Sequence, residues 1–128
     1  EKKKKTKIIL VSMLTNLDNH DLKRMGFSCG HKKFVENLVK IGVKAGVDGI
    51  VSSPKEIKYL KSKYKSLIFI TPGIRLPKNK KNDQKRIESP RFAIKAGSNI
   101  LVIGRPITKS KDPVNAIQEI VKNIEYGK

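Results

Sequence analysis

The chain has 128 residues, enough for one domain with a modest core and too few for a large multidomain enzyme. Hydrophobic residues make up 38% of it, which excludes a disordered tail, and no apolar run approaches the roughly 20 residues that cross a bilayer. The net charge is +18, but only five of the 29 basic residues are arginines and there are four Phe, three Tyr and no Trp, so the planar forks and stacking rings of specific nucleic-acid binding are scarce.

Residues 1–7 form a basic N-terminal stretch. Ile8 to Leu14 is almost continuously apolar and reads as a strand buried on both faces, as in parallel sheets covered by helices. Thr15 to Cys29 is polar and irregular, and a helix is expected around Lys32 to Ala45. Phe34, Leu38 and Ile41 share one face of that helix, and Gly46 stands where it stops. A second strand, Gly49 to Ser52, runs into Ser53-Pro54-Lys55-Glu56, the pattern of a helix start with a capping serine, proline in the first turn and a glutamate that reaches back. Ile57 and Leu60 continue this helix.

Leu67 to Thr71 reads as a third buried strand, ending at Pro72-Gly73. The loop 72–88 has no apolar periodicity, and a loop this long inside a compact domain usually carries function. Ser89-Pro90 opens another helix, packed by Phe92 and Ala93 and closed by Gly97. A fourth strand, Ile100 to Ile103, stops at Gly104-Arg105-Pro106. Asp112-Pro113 then caps a last helix with Ile117, Ile120, Val121 and Ile124 on its apolar face.

Strand and helix thus alternate through four units, and each helix carries the chain back across the sheet, so the strands are expected to be parallel. Four βα units are half of a TIM (βα)8 barrel, a fold of about 250 residues. A half barrel leaves both sheet edges unpaired, so the chain reads as a single partial domain, 1–128. A small doubly wound sheet is the structural alternative.

In either architecture the functional groups lie just past the carboxyl ends of the strands. These are Thr15, Ser53, Thr71 to Arg75 with the long loop, and Gly104 with Arg105. Glycine permits close approach of an anion, backbone N–H groups there can face phosphate oxygens, and a guanidinium can grip the same dianion in two places. Gln84 offers a neutral amide donor. Taken alone, Gly-Arg-Pro after a strand is also an ordinary turn. Asp18, His20, Cys29 and His31 match no zinc spacing, and a lone cysteine cannot form an internal disulfide. Walker, G-x-G-x-x-G and G-x-S-x-G signatures are absent.

Several motifs together resemble the bacterial orotidine 5′-phosphate decarboxylases. They are V-S-M-L-T at Val11 to Thr15, D-G-I-V-S-S-P at Asp48 to Pro54, T-P-G-I-R at Thr71 to Arg75, D-Q-K-R at Asp83 to Arg86, and V-I-G-R-P-I-T at Val102 to Thr108, followed by K-D-P at Lys111 to Pro113. Their order and spacing resemble the family's from about residue 8 to 124. The resemblance implies the C-terminal half of the barrel, strands five to eight. Thr15 is then expected near the pyrimidine nucleotide. Arg75, Gln84, Gly104 and Arg105 are expected in the substrate site, mostly at the 5′-phosphate, with residues 72–88 closing over it. Asn16 stands where a serine is common, and Lys78 to Lys81 is a basic insertion in the loop.

The same resemblance implies decarboxylation of orotidine 5′-monophosphate to UMP in pyrimidine synthesis. It further implies no metal or organic cofactor, a cytoplasmic enzyme, and a homodimer when full length. The family's D-x-K-x-x-D array of aspartates and lysines is absent from this chain, so no catalytic residue is expected here and the isolated chain is expected to be inactive. Two other readings stand beside this one: another phosphate-binding barrel enzyme, such as a sugar-phosphate decarboxylase or isomerase, and a basic nucleic-acid-binding module. The lysines are scattered through every segment rather than gathered in a stripe, which argues against nucleic acid and for a solvated surface.

Overall fold

The computed structural model describes residues 6–13, 16–76 and 88–126. Four short strands, β1 (Ile9–Val11), β2 (Gly49–Val51), β3 (Ile68–Thr71) and β4 (Ile100–Leu101), form one sheet in the order β1-β2-β3-β4. Every neighbouring pair is parallel. Six helices connect or follow them: α1 (Asn19–Arg24), α2 (His31–Lys44), α3 (Pro54–Lys63), α4 (Pro90–Ala96), α5 (Arg105–Thr108) and α6 (Pro113–Glu125).

The strand register sorts the sheet into two faces. Leu10, Ile50 and Phe69 stand in one row, and Ile50 and Phe69 are fully buried against Val35 and Val39 of α2 and Ile57 and Leu60 of α3. Each such side chain contributes roughly 1.5–3 kcal/mol by leaving water. Val11, Val51, Ile70 and Ile100 form the next row, on the opposite face. There Val11 is 53% and Ile100 49% exposed while Val51 and Ile70 between them are half-buried, so among the described residues the helices cover one face and leave the other more open. A doubly wound sheet has helices on both faces and a reversal in strand order. Sequential order with one covered face is instead the arrangement of half a (βα)8 barrel.

Local chemistry sets the element boundaries. Ser89 Oγ accepts from the Phe92 amide at 3.2 Å to open α4, and Asp112 accepts from Asn115 at 2.9 Å to open α6. Gly97 closes α4 with φ of 105°, a left-handed conformation that favours glycine. Gly49 is required for a different reason, since a Cβ there lies 2.4 Å from the Ile68 carbonyl oxygen. The helix layer is tied together by a Lys63–Glu36 ion pair between α3 and α2, and by the Arg91 amide donating to Asn123 Oδ1 at 3.0 Å between α4 and α6.

Several expectations are corrected. The first strand is not buried on both faces: β1 spans Ile9–Val11 at an edge, and Ile8 is 60% exposed; Leu14 lies outside the described residues. In α2 the buried ridge is Val35, Val39 and Gly42, and Ile41 is 64% exposed. The physical reason is Gly42, whose missing side chain lets the helix settle on Leu10, turning Ile41 outward. Phe92 is likewise 40% exposed while Ala93 is buried, and Ile117 and Val121 are 46% and 44% exposed beside buried Ile120. The stretch after the first strand is not wholly irregular: Asp18 caps α1, accepting from His20 and Asp21 amides, while Asp21 accepts from the Asp18 amide. After β4, Arg105–Thr108 forms the short α5 rather than a simple turn.

Candidate functional site

Four parallel strands point their carboxyl ends the same way, so the segments after them share one rim. Ser12 and Met13 follow β1, Ser52 and Ser53 follow β2, Pro72 to Arg75 follow β3, and Gly104 and Arg105 stand just beyond β4. Thr15 and Gln84 lie outside the described residues.

The centre of the rim is a buried polar knot at the start of α3. Glu56, 1% exposed, turns back so that Oε2 accepts from the Ser52 hydroxyl at 2.8 Å and the Ser53 amide at 2.9 Å. A carboxylate suits the positive end of the helix dipole, and the contacts clamp the end of β2 to the first turn of α3. Ser12 adds a neighbouring tie, its hydroxyl donating to the Val51 carbonyl at 2.7 Å. The Ser53-Pro54-Lys55-Glu56 pattern marked the helix start, but Ser52 and the depth of Glu56 were not legible from it.

Beside this knot, the two ends of the loop after β3 meet. Ile74 and Glu88 form a parallel bridge, with the Arg75 amide donating to the Glu88 carbonyl at 3.0 Å and the Glu88 amide to the Gly73 carbonyl at 3.3 Å. Lys55, in the first turn of α3, pairs with the Glu88 carboxylate at 3.2 Å. Arg75 itself is buried at this neck, 6% exposed, and its Nη1 donates to the Ile74 carbonyl at 2.8 Å. Lys55 and Glu88 carried no sequence signal, because an ion pair between a helix and a distant loop end has no local pattern.

Past β4, Gly104 has an ordinary negative φ of −98°, and a Cβ placed on it meets none of the described residues within 4 Å. Packing among the described residues therefore does not demand glycine here. Its carbonyl accepts from Ile107 and Thr108 at 2.8 and 3.1 Å, fixing the turn that sets Arg105, half-buried, at the rim.

Other sequence candidates are used elsewhere. The Thr71 hydroxyl donates to Ser98 Oγ at 2.7 Å, locking β3 to the start of β4. Asp18 and Asp21 cap α1, and His31 meets Asn19 Oδ1 through its amide at 2.7 Å and its ring at 3.0 Å. Among the described residues no three His, Cys, Asp or Glu side chains gather as a metal group.

A half barrel with an arginine and glycine past its last strand, and a hydrogen-bonded loop neck past the third, is the setting in which the sequence motifs were expected to fall. Residues 1–120 match the model of the Orotidine 5'-phosphate decarboxylase / HUMPS family. The chain belongs to that family. Among curated relatives, the orotidine 5'-phosphate decarboxylase of Coxiella burnetii (strain RSA 331 / Henzerling II) is 44% identical over 96% of this chain and 52% of its own length. That of Legionella pneumophila (strain Corby) is 39% identical over 95% of this chain and 54% of its own. The chain thus spans about half the length of the curated relatives it matches.

Solved structures agree. Orotidine 5'-phosphate decarboxylase from Lactobacillus acidophilus superposes with a TM-score of 0.73 at 31% identity, covering 92% of this chain and 49% of that one. The Sulfolobus solfataricus enzyme, at 18% identity and a TM-score of 0.67, supports the fold alone. The chain is a family member comprising half of the barrel. Among the described residues no helix is long and apolar enough to cross a membrane.

Proposed function

We propose that this chain is the phosphate-binding half of an enzyme that decarboxylates orotidine 5′-monophosphate to UMP. The observation that carries the reading is the ordered set T-P-G-I-R, D-Q-K-R and I-G-R-P-I-T in a chain 44% identical to a decarboxylase of that name, with the first and last motifs past the ends of neighbouring parallel strands. Arg105 and Gly104 hold the 5′-phosphate, with Gln84 as a neutral donor and Arg75 at the base of the loop. Thr15 lines the pyrimidine side, and the family resemblance assigns residues 72–88 to closure over the phosphate.

The reacting carbon needs groups this half does not hold. Departure of CO2 leaves electron density at C6 of the pyrimidine, to be stabilised and protonated by the aspartate and lysine array of the other half. This chain contributes by holding the substrate at a distance from the breaking bond. Phosphate contacts that tighten as the site closes deliver their energy in the transition state rather than as uniform affinity. Homodimerisation of the complete barrel and a cytoplasmic location belong to the same reading.

The test joins this chain to the other half of the Coxiella burnetii relative and measures two things: release of CO2 from orotidine 5′-monophosphate, and competition by 6-substituted uridine monophosphates against sugar phosphates. Turnover with pyrimidine nucleotides as the stronger competitors is expected. Preference for sugar phosphates without turnover reassigns the site to a sugar-phosphate decarboxylase or isomerase.

A further inference from the structure

The lysines that run through every segment of the sequence do not stay evenly spread once the chain folds. Helices α2 and α3 lie side by side, tied by the Lys63–Glu36 ion pair and by Lys32, whose ammonium stands 4.9 Å from the Tyr59 ring centre. Together the two helices hold eight lysines against two glutamates. Both glutamates are already engaged, Glu56 buried at the rim and Glu36 paired with Lys63. The Glu36 carboxyl is held down first by its hydrogen bond from Lys63 and further by the charges of Lys63, Lys40 and Lys33, so lysines from both helices crowd one carboxylate. By contrast, α6 holds one lysine and two glutamates. Val35, Val39 and Gly42 of α2 are buried, so at 3.6 residues per turn Lys33, Asn37, Lys40 and Lys44 form its outward stripe. Glu56, Ile57 and Leu60 of α3 are buried, which leaves Lys55, Lys58 and Ser62 as the outward stripe there. Every one of these stripe residues is exposed.

We infer that this outward α2–α3 face is a docking surface for the sugar-phosphate backbone of a nucleic-acid duplex, bound without regard to base sequence. From Lys33 to Lys44 the α2 stripe is roughly 17 Å long, and the α3 stripe runs about 8–10 Å from it. A duplex presents about one negative charge per 1.7 Å of its axis, so a surface of this length meets on the order of ten phosphates. Lysine suits phosphate as a point charge, and contact with the backbone alone needs neither the arginine forks nor the aromatic rings that are scarce in this chain. The residues between the lysines select the occupant. Asn37 and Ser62 are small and polar, and Ile41 and Val43, the exposed apolar residues of α2, fall to either side of its stripe. A stable hold on an anionic membrane takes an apolar signal besides the charge, and an acidic protein takes aromatic or apolar anchors at the centre of the contact. Neither stripe supplies them. The face is on the side of the helix layer turned away from the sheet, the ring that meets solvent in a complete barrel, so further βα units at either sheet edge leave it uncovered. Its charge acts whether or not the rim binds orotidine 5′-monophosphate.

The test titrates the 128-residue chain into a fluorescent DNA duplex of about 20 base pairs and follows anisotropy between about 50 and 200 mM salt. Two quadruple variants of equal net charge are compared with the parent. One carries Lys33→Gln, Lys40→Gln, Lys44→Gln and Lys58→Gln on the face; the other carries Lys23→Gln, Lys95→Gln, Lys109→Gln and Lys122→Gln at exposed positions of four other segments. Glutamine keeps the helix propensity of lysine, so both variants fold as the parent does. The parent is expected to show a log–log salt slope of about −4 or steeper, and to bind a second duplex of unrelated sequence equally well. The face variant should lose at least about 100-fold in affinity at the lowest salt, with a slope shallower by about 3 to 4, whereas the other variant should lose less than about tenfold. Equal losses in the two variants overturn the proposal, because net charge rather than this surface then accounts for binding. Absence of binding at the lowest salt, or tighter binding to vesicles of phosphatidylcholine and phosphatidylserine or to polyglutamate than to the duplex, overturns it as well.

Discussion

Glu56 and Ser52 are joined by a 2.8 Å hydrogen bond in a place where both are 1% exposed, and the same carboxylate oxygen receives the Ser53 amide. Removing the carboxylate strands two donors away from water, each costing about 1–3 kcal/mol. Glu56→Ala should therefore destabilise the joined barrel by roughly 2–4 kcal/mol, and Glu56→Gln, which keeps an acceptor, by about 1 kcal/mol. Urea unfolding midpoints check this; equal losses for both substitutions would show that hydrogen-bond acceptance is not what matters.

Two glycines should respond to alanine in opposite ways. At Gly49 the new Cβ meets the Ile68 carbonyl oxygen at 2.4 Å and Ile68 Cβ at 2.8 Å, neither of which can yield without moving β3. Gly49→Ala is expected to cost about 3 kcal/mol, the upper range of overpacking. At Gly104 no described residue stands within 4 Å, so Gly104→Ala should change stability by less than about 1 kcal/mol while its methyl group intrudes where the phosphate is proposed to sit. Unfolding curves and UMP titration of the two variants separate the effects.

Arg105→Ala in the joined barrel should lower kcat/KM by roughly 10- to 150-fold, the equivalent of 1.5–3 kcal/mol for hydrogen bonds to a charged group. Arg105→Lys should recover only part of the loss, because a point charge does not reproduce a two-pronged grip. An unchanged kcat/KM in the alanine variant removes Arg105 from the site.

The Lys55–Glu88 pair is solvent-accessible on the lysine side, with side-chain exposures of 67% and 23%. Such pairs contribute about 0–1 kcal/mol. Lys55→Ala should leave thermal stability nearly unchanged, and any effect on KM should then be read as a change at the loop neck rather than as unfolding. A large loss of Tm contradicts this assignment.

Glu36 and Lys63 give the α2–α3 flank a pH dependence of known sign. The hydrogen bond from Lys63, aided by its charge, holds the Glu36 carboxyl below the ordinary 4.5, and the same bond raises Lys63 above 10.5. A lowered carboxyl contributes stability above its unfolded pKa and loses it as pH falls through the folded value; a raised lysine loses its contribution as pH rises through its own. Glu36→Gln should lower Tm between those limits, with the two proteins converging in acid. A constant difference down to about pH 2, far below any glutamate's ordinary range, would exclude the linkage.

The alternation of units was legible because turn chemistry punctuates it. Ser53-Pro54, Ser89-Pro90 and Asp112-Pro113 all open helices, and Gly46 and Gly97 stand just past helix ends. Which face of a helix is buried was less legible. Phe34, Leu38 and Ile41 have the right spacing, but the absence of a side chain at Gly42 decides how α2 rolls onto the sheet, and an apolar-residue pattern does not register an absence. The continuous apolar run at Ile8 to Leu14 has the composition of a parallel strand covered on both faces, whereas here β1 is an edge strand with Ile8 and Val11 exposed. Motifs located the rim, but the contacts that brace it, Glu56 to Ser52 and Lys55 to Glu88, join residues whose meeting depends on tertiary geometry.

The strictly sequential strand order has a consequence for how the molecule is made. Each strand pairs only with the ones just before and just after it in the chain, and every pairing spans a helix: Ile9 meets Gly49, Gly49 meets Ile68, and Ile70 meets Ile100. Parallel pairing must close these helix-length connections before strand contacts reward it, which slows folding, yet the sequential order lets each βα unit dock on its predecessor as it leaves the ribosome, without waiting for the carboxyl terminus to be synthesised.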